Sequence, residues 1–391
     1  MAEFGHSMCA PLHSLLVSHV VVPPNRSVAP FFVVTLGGPA ALLGCKRQIC
    51  LRIWNAMSLT QQTGKGSTIG GAPGKSSRQA GFSIVALAIA FGLSSAAQAQ
   101  QSASGANTVS LQAHPGWVQV PGALIRPDCV HEVPMGAKVG ANGDVSLAGS
   151  IVAHYDACPE PAIVTRPQGG VTPKFVDTPG TGNGWVEAVQ WDVPLKSGDN
   201  IDELTGKWIV PSNPSANGGL IYLFNGIEPT TENLILQPVL QWGANGYFGG
   251  NYWVIASWLV GSNAYYSPDE RVNAGDTILG TTYITSVSGG TLNWESWAQD
   301  TTSGAYSWLG AWSSGYQWNW AFSGVLEAYY ITSCSEFPAS GYTFFENNAV
   351  YHGYPSFTND PASWYGALYN YGGPSCGFSP FPFGSSNYLF W

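Results

Sequence analysis

Apolar residues recur along the chain in runs of about four to eight, punctuated by Gly, Pro, Asn and Ser. No stretch keeps the spacing of a long amphipathic helix. This pattern predicts strands near 117–125, 150–155, 185–193, 204–210, 219–225, 233–242, 251–260, 277–287, 290–299, 305–312 and 321–332. GANGYFGG (243–250) and SVSGGT (286–291) have the composition of hairpin loops. No fixed-period repeat is visible, which argues against a propeller or solenoid. Half-buried strands in this number predict an all-β protein, two antiparallel sheets packed face to face as a β-sandwich, with the concave sheet as the natural place for a site.

One stretch breaks the simple pattern. LILQPVLQWG (234–243) reads as an apolar strand, yet it carries Gln237 and Gln241 four positions apart. Strand side chains alternate between faces, so both amides point the same way.

The segment TRPQGGVTPKFVDTPGTGNG (165–184) reads as a linker between a front segment, 100–164, and a main body, 185–391. The front is either extra strands or a pro-segment. A pro-segment that docks electrostatically on an acidic enzyme should be basic. Residues 100–184 carry four basic and six acidic groups, net −2, which favours a retained part. The tail after Cys334 is expected to wrap the body. Upstream, GFSIVALAIAFGL (81–93) follows Lys75 and Arg78 and precedes Ala97-Gln98-Ala99. Residues 57–99 therefore read as a secretory signal cleaved near Ala99, too short a run for a membrane span. Residues 1–56 match no targeting pattern and read as an upstream extension, with Met57 nearer the true start.

Charge and cysteine content fit export. Seven of the 14 Lys and Arg and one of the 23 Asp and Glu precede residue 100, so the exported part carries 7 − 22 = −15. Such a surface repels nucleic acid and anionic membrane, which drops both as partners. It also suits an acidic medium, where protonation lowers the net charge. Four cysteines remain beyond residue 100: Cys129, Cys158, Cys334 and Cys376. Sequence neighbours favour Cys129–Cys158 and Cys334–Cys376, although three connectivities are open. A zinc site drawn from Cys129, His131, His154 and Cys158 is the weaker reading in an exported chain.

The chain lacks a Gly-rich phosphate loop and H-E-x-x-H. Glu295 and Glu327 stand out as acids in apolar strands, but neither belongs to the acid-x-acid cluster of many glycosidases. A Glu within VLEAYYI has a pKa raised by burial, so it can take a proton from water and return it to a leaving group. A nearby Gln amide can hold that water and then the oxyanion. Gln237 and Glu327 are thus a candidate pair for amide hydrolysis, with no cofactor implied. The alternative is a Gln in a buried hydrogen-bond ladder and a Glu facing solvent.

LTGKWIVPSNP (204–214), GLIYLFNGIEP (219–229), LILQPVLQWG, NYWVIASW (251–258), VNAGDTILG (272–280) and VLEAYYI follow one another in order. This succession resembles the glutamic peptidases, the eqolisin family. The resemblance implies a concanavalin A-like jelly roll, acid endopeptidase activity on polypeptides, and a catalytic dyad at Gln237 and Glu327. The family's G-I-D acid falls on Glu228, and Phe224 stands nearest its Trp. Its acid in the aromatic strand is replaced by Ser257, and Pro238 follows the glutamine, which predicts an edge or bulge there. Gln241, Trp258 and Tyr329 are further substrate-binding candidates. Trp242 alternates away from Gln241 and is the weakest. A design with paired glutamates, as in neprosin-type peptidases, would instead partner Glu327 with Glu228 or Glu295. The expectation is a secreted, monomeric peptidase; the rival is a lectin-like sandwich that binds or cleaves glycans.

Overall fold

The computed structural model describes residues 108–110, 113–167, 175–177, 182–315, 317–369 and 371–391. All belong to one compact unit, 94–391. The expected extension and signal segment, 1–99, and most of the expected linker lie outside the described residues. Within that linker range Thr165–Pro167 are buried and a strand already begins at Gly182.

The fold is all-β, and its body is two large sheets packed face to face. The first runs Tyr365–Leu368, Gly182–Asp192, Trp318–Ile331, Leu220–Pro229, Ile235–Trp242, Trp253–Val260, Ala264–Tyr266, Val130–Glu132. The second is built around Glu203–Ile209, Thr277–Ser288, Thr291–Asp300, Tyr306–Ser313 and Tyr342–His352. The predicted strands fall within a few residues of these. The 243–250 and 286–291 loops do join antiparallel neighbours, the latter through Gly289-Gly290, both at positive φ.

The two sheets differ in pattern for one physical reason. Strands of the second sheet alternate buried and half-exposed positions, as Thr291–Asp300 does throughout, because one face meets water. In the first sheet Leu220–Pro229, Ile235–Trp242 and Trp253–Val260 are buried at every position. Ile221, Leu223, Leu240, Trp242 and Ile255 pack against Trp208, Ile278 and Phe345 of the second sheet. Tyr222, Phe224, Val239, Ala256 and Trp258 face the other way and are covered by Val120, Ala123, Ile125, Cys129 and Ala162 of the front segment. The front segment is thus a third layer over the first sheet.

Its attachments are several. Val130–Glu132 pairs in parallel with Ala264–Tyr266, and Lys138–Val139 pairs in parallel with Tyr306–Ser313, so the segment extends both sheets. Cys129–Cys158 closes within it, and Cys334–Cys376 ties the tail, the pairings favoured from sequence. That bond removes Cys129 and Cys158 from any metal site. His131 stacks on Tyr155, and His154 bonds Asp144.

Three expectations are corrected. The apolar run at 117–125 is two strands, Val118–Val120 and Ala123–Ile125, turning at Pro121-Gly122, a breaker pair that outweighs the apolar residues around it. The tail supplies sheet strands: Tyr342–His352 pairs with Glu203–Ile209, and Ser386–Phe390 pairs with Tyr342–His352. Pro238 marks neither an edge nor a bulge in its own strand, which is central. It opposes Ser257 on one side, while on the other Gln237 and Pro238 fall between the pairs Leu236–Ile227 and Val239–Phe224. The missing N–H is accommodated in that gap, and the irregularity sits one ladder over, between Phe224 and Gly226.

Candidate active site

Register places the candidate residues on one face of the first sheet. Glu327 lies across from Trp185 on one neighbour and Tyr222 on the other, and Tyr222 lies across from Gln241. Gln237 opposes Trp258, and Glu228 opposes Trp320. The residues between them, such as Leu236, Leu240, Leu326 and Ala328, point to the second sheet. Gln237, Glu228 and Glu327 are wholly buried. Gly226 lets Gln237 in: a Cβ there would stand 3.1 Å from the Cβ of Gln237 and 3.2 Å from the Leu236 carbonyl.

The Pro121-Gly122 turn meets these side chains. Pro in the second position and Gly122 at φ +86° in the third have the form of a type II turn. The amide Nε2 of Gln237 donates to the Pro121 carbonyl at 3.0 Å. The Gly122 N–H donates to Glu327, 2.8 Å from Oε2 and 3.0 Å from Oε1. The carbonyl oxygen and N–H of a single peptide group are therefore held by Gln237 and Glu327 respectively. Glu327 also accepts from the hydroxyls of Thr165, at 3.1 Å, and Tyr329. The Oε1 of Gln237 is buried with no hydrogen-bond partner among the described residues.

Arg166 closes the arrangement. Its Nη1 donates to the Gly122 carbonyl at 3.0 Å and its Nη2 to Asn233 Oδ1 at 2.8 Å. Its Nε stands 2.9 Å from Glu228 Oε1 in a wholly buried ion pair, but the N–H is not aimed well enough for a hydrogen bond. Burial pushes the Glu327 carboxyl up to about 7, against the downward pull of Tyr329, Gly122, Thr165 and Arg166. Burial pushes Glu228 up to about 8, with Arg166 opposing and the neighbouring Glu327 reinforcing.

The other candidates have local duties. Gln241 gives its Nε2 to the Gly243 carbonyl at 2.8 Å and takes the Asn245 side chain on Oε1, so it braces the 243–250 loop. Phe224 packs edge-on to Trp185, and Trp258 packs on Tyr266 and Phe248. Trp242 faces the second sheet beside Trp253. Ser257 also points there, bonding the Ser307 carbonyl. Glu295 belongs to the second sheet's half-exposed face, where Tyr283 and Trp297 donate to it, so it cannot partner Glu327.

Sequence reasoning missed Pro121, Gly122, Thr165, Arg166 and Asn233. The Pro-Gly pair was a legible turn signal, but nothing in the sequence says which surface the turn meets. It also missed Glu187, a wholly buried acid in Gly182–Asp192 whose carboxyl burial pushes up to about 9. No group of three or more His, Cys, Asp or Glu able to hold a metal occurs among the described residues.

No family model and no curated protein matches the chain. Among solved structures, scytalidoglutamic peptidase with a peptide-based transition-state analog aligns at 15% identity and a TM-score of 0.37, covering 54% of this chain and 98% of that one. SCP-B, a member of the eqolisin family of peptidases in complex with the tripeptide Ala-Ile-His, aligns at 15% identity and 0.35 over the same shares. The CBM2 module of an evolved Dit from a Lactobacillus casei phage aligns at 13% and 0.22, covering 37% of this chain and 69% of that one. Alignments this loose decide neither fold nor activity.

Proposed function

We propose that the chain is an endopeptidase that hydrolyses polypeptides with Gln237 and Glu327, in a state where its own front segment fills the site. One observation carries the reading: the Pro121-Gly122 peptide group sits with its carbonyl oxygen on Gln237 and its N–H on Glu327. Those are the two atoms that amide hydrolysis must stabilise and protonate.

With a substrate peptide in place of the turn, Glu327 takes a proton from water as the hydroxide oxygen bonds to the carbonyl carbon. The C=O electron pair moves to oxygen, where Gln237 Nε2 donates to the oxyanion. Glu327 then returns the proton to the nitrogen, the C–N bond breaks, and acid and amine leave. Gln237 Oε1, which has no partner among the described residues, is free to accept from the attacking water. Once the turn leaves, water reaches Glu327 and its pKa falls towards the ordinary 4.5, which puts the base in the acid range. Secretion and an acidic working medium follow the same reading.

The test uses the full chain and its Gly122→Ala form, in which the turn is weakened, each with and without Glu327→Gln. Cleavage of a denatured protein is followed from pH 2 to 7. Acid-range cleavage, faster in Gly122→Ala and absent from both Glu327→Gln chains, is expected. Cleavage that survives Glu327→Gln, or none from any folded chain, refutes it.

A further inference from the structure

We infer that Glu228 and Asn233 form a specificity subsite for a cationic side chain of the substrate, held in this structure by the chain's own Arg166. The inference rests on the peptidase reading for its biological sense, but its geometry stands apart from the dyad. The pocket is shaped for a planar cation: Glu228 faces Nε, Asn233 Oδ1 takes Nη2 at 2.8 Å, and a backbone carbonyl takes Nη1 at 3.0 Å. Acceptors around one guanidinium match its fixed fork of donors; Glu228 and Asn233 belong to the sandwich and stay when the turn leaves, while the third is the turn's own carbonyl, whose place a substrate carbonyl takes. The pocket adjoins the reacting position, because the carbonyl that receives Nη1 belongs to Gly122, whose N–H bonds Glu327.

The present occupant fits imperfectly. The Nε–H of Arg166 lies 2.9 Å from Glu228 Oε1 but poorly aligned, and the second oxygen of Glu228 finds no partner among the described residues. A buried carboxylate left in that condition keeps its desolvation cost without full return. A substrate Arg or Lys arriving on a separate chain, free of the turn's geometry, can align on Glu228 and displace Arg166. The chain's excess of acidic residues draws cationic substrates towards it. The class selected is therefore polypeptides bearing Arg or Lys close to the scissile bond.

Two measurements separate this inference from the peptidase reading. In the first, Arg166→Ala vacates the pocket in the full chain, and thermal unfolding is followed with millimolar N-ethylguanidinium or neutral N-ethylurea. Stabilisation by the cation alone, lost when Glu228→Gln is added, is expected; equal response to both compounds overturns the subsite whatever the activity. In the second, matched peptides differing by Arg, Lys or norleucine are offered to the full chain and to Arg166→Ala. A preference of about tenfold or more in kcat/KM for the cationic peptides, abolished by Glu228→Gln, is expected from a charge-assisted contact. Cleavage without charge preference overturns the subsite and leaves the dyad standing. Cation binding without cleavage of any peptide overturns the dyad and keeps the pocket as a cation site. Should Arg166→Ala unfold, the volume-matched Arg166→Met/Glu228→Gln chain replaces it: the wild type must show the preference and the double variant must lack it.

Discussion

Glu187 gives the cleanest quantitative test of the buried electrostatics, because it lies outside the site. Its carboxyl oxygens approach the backbone N–H groups of Ser379 and Phe390 without forming well-directed hydrogen bonds, and no cation pairs with it among the described residues. Burial raises it from 4.5 to about 9, so the fold holds its proton while the unfolded chain releases it above 4.5. The folded pKa is the higher one. Below 4.5 both states are protonated and nothing is lost; as pH rises from 4.5 towards 9, stability falls by ~1.4 kcal/mol per unit. At pH 7 the interval is about 2.5 units, so keeping Glu187 protonated costs ~3.4 kcal/mol. Glu187→Gln keeps the shape and does not titrate. It should therefore match the wild type at pH 4 and exceed it by roughly 3 kcal/mol at pH 7, on the order of 6 °C in Tm for a chain of this size. Urea unfolding at pH 4, 5.5 and 7 measures the difference. Parallel curves for the two proteins across that range would refute the reasoning, because they would mean that Glu187 titrates as it does in water.

Other expectations concern the site and its frame. Gln237→Ala should lower kcat by about 10²–10³-fold with the fold intact, the usual loss of one oxyanion donor, read from cleavage kinetics in the Gly122→Ala background. Gly122→Ala places a Cβ 3.0 Å from Arg166 Nη1 and 3.1 Å from its Cδ at φ +86°, costing about 1–2 kcal/mol, and should expose the 118–125 hairpin to limited proteolysis. Replacing Cys334 and Cys376 by Ser removes a crosslink between residues 42 apart and should cost ~4 kcal/mol by chain entropy, measured by urea unfolding at constant pH.

The body of the fold was legible because its strands carry strong local patterns. The second sheet alternates as a half-exposed sheet should, and the central strands of the first are apolar throughout because both faces are covered. That second cover was not legible. LILQPVLQWG reads equally as a two-sided buried strand or as one face of a groove, and the choice depends on what packs above it. Gln237 and Gln241 do share a face, but their duties diverge through loops that no periodicity encodes: one meets Pro121 and the other the 243–250 loop. Glu228 and Glu187 were passed over as buried acids for the same reason. Their burial comes from residues distant in sequence, and Arg166 lay in a segment whose Gly and Pro content resembles a linker.

The pKa directions at the site also decide how the front segment can leave. With the turn in place Glu327 stands at about 7 and Glu228 at about 8; exposed to water, both fall towards 4.5. The closed state therefore has the higher pKa at both groups and binds their protons more tightly. Closure is strengthened as pH falls from 7 to 4.5 and weakened as pH rises. Each group contributes at most ~3.4 kcal/mol over that interval, less whatever burial it keeps when the turn is displaced. Acid alone thus tightens the block, and release in an acidic medium is speeded by weakening the turn, as Gly122→Ala does, or by a covalent cut in the chain joining the front segment to the sandwich. Amide exchange at 122–125, corrected for the intrinsic rate, measures this directly. It should be slower at pH 4.5 than at pH 7 in the uncut chain. Faster corrected exchange at pH 4.5 would show that protonation opens the site, and would overturn the assigned directions.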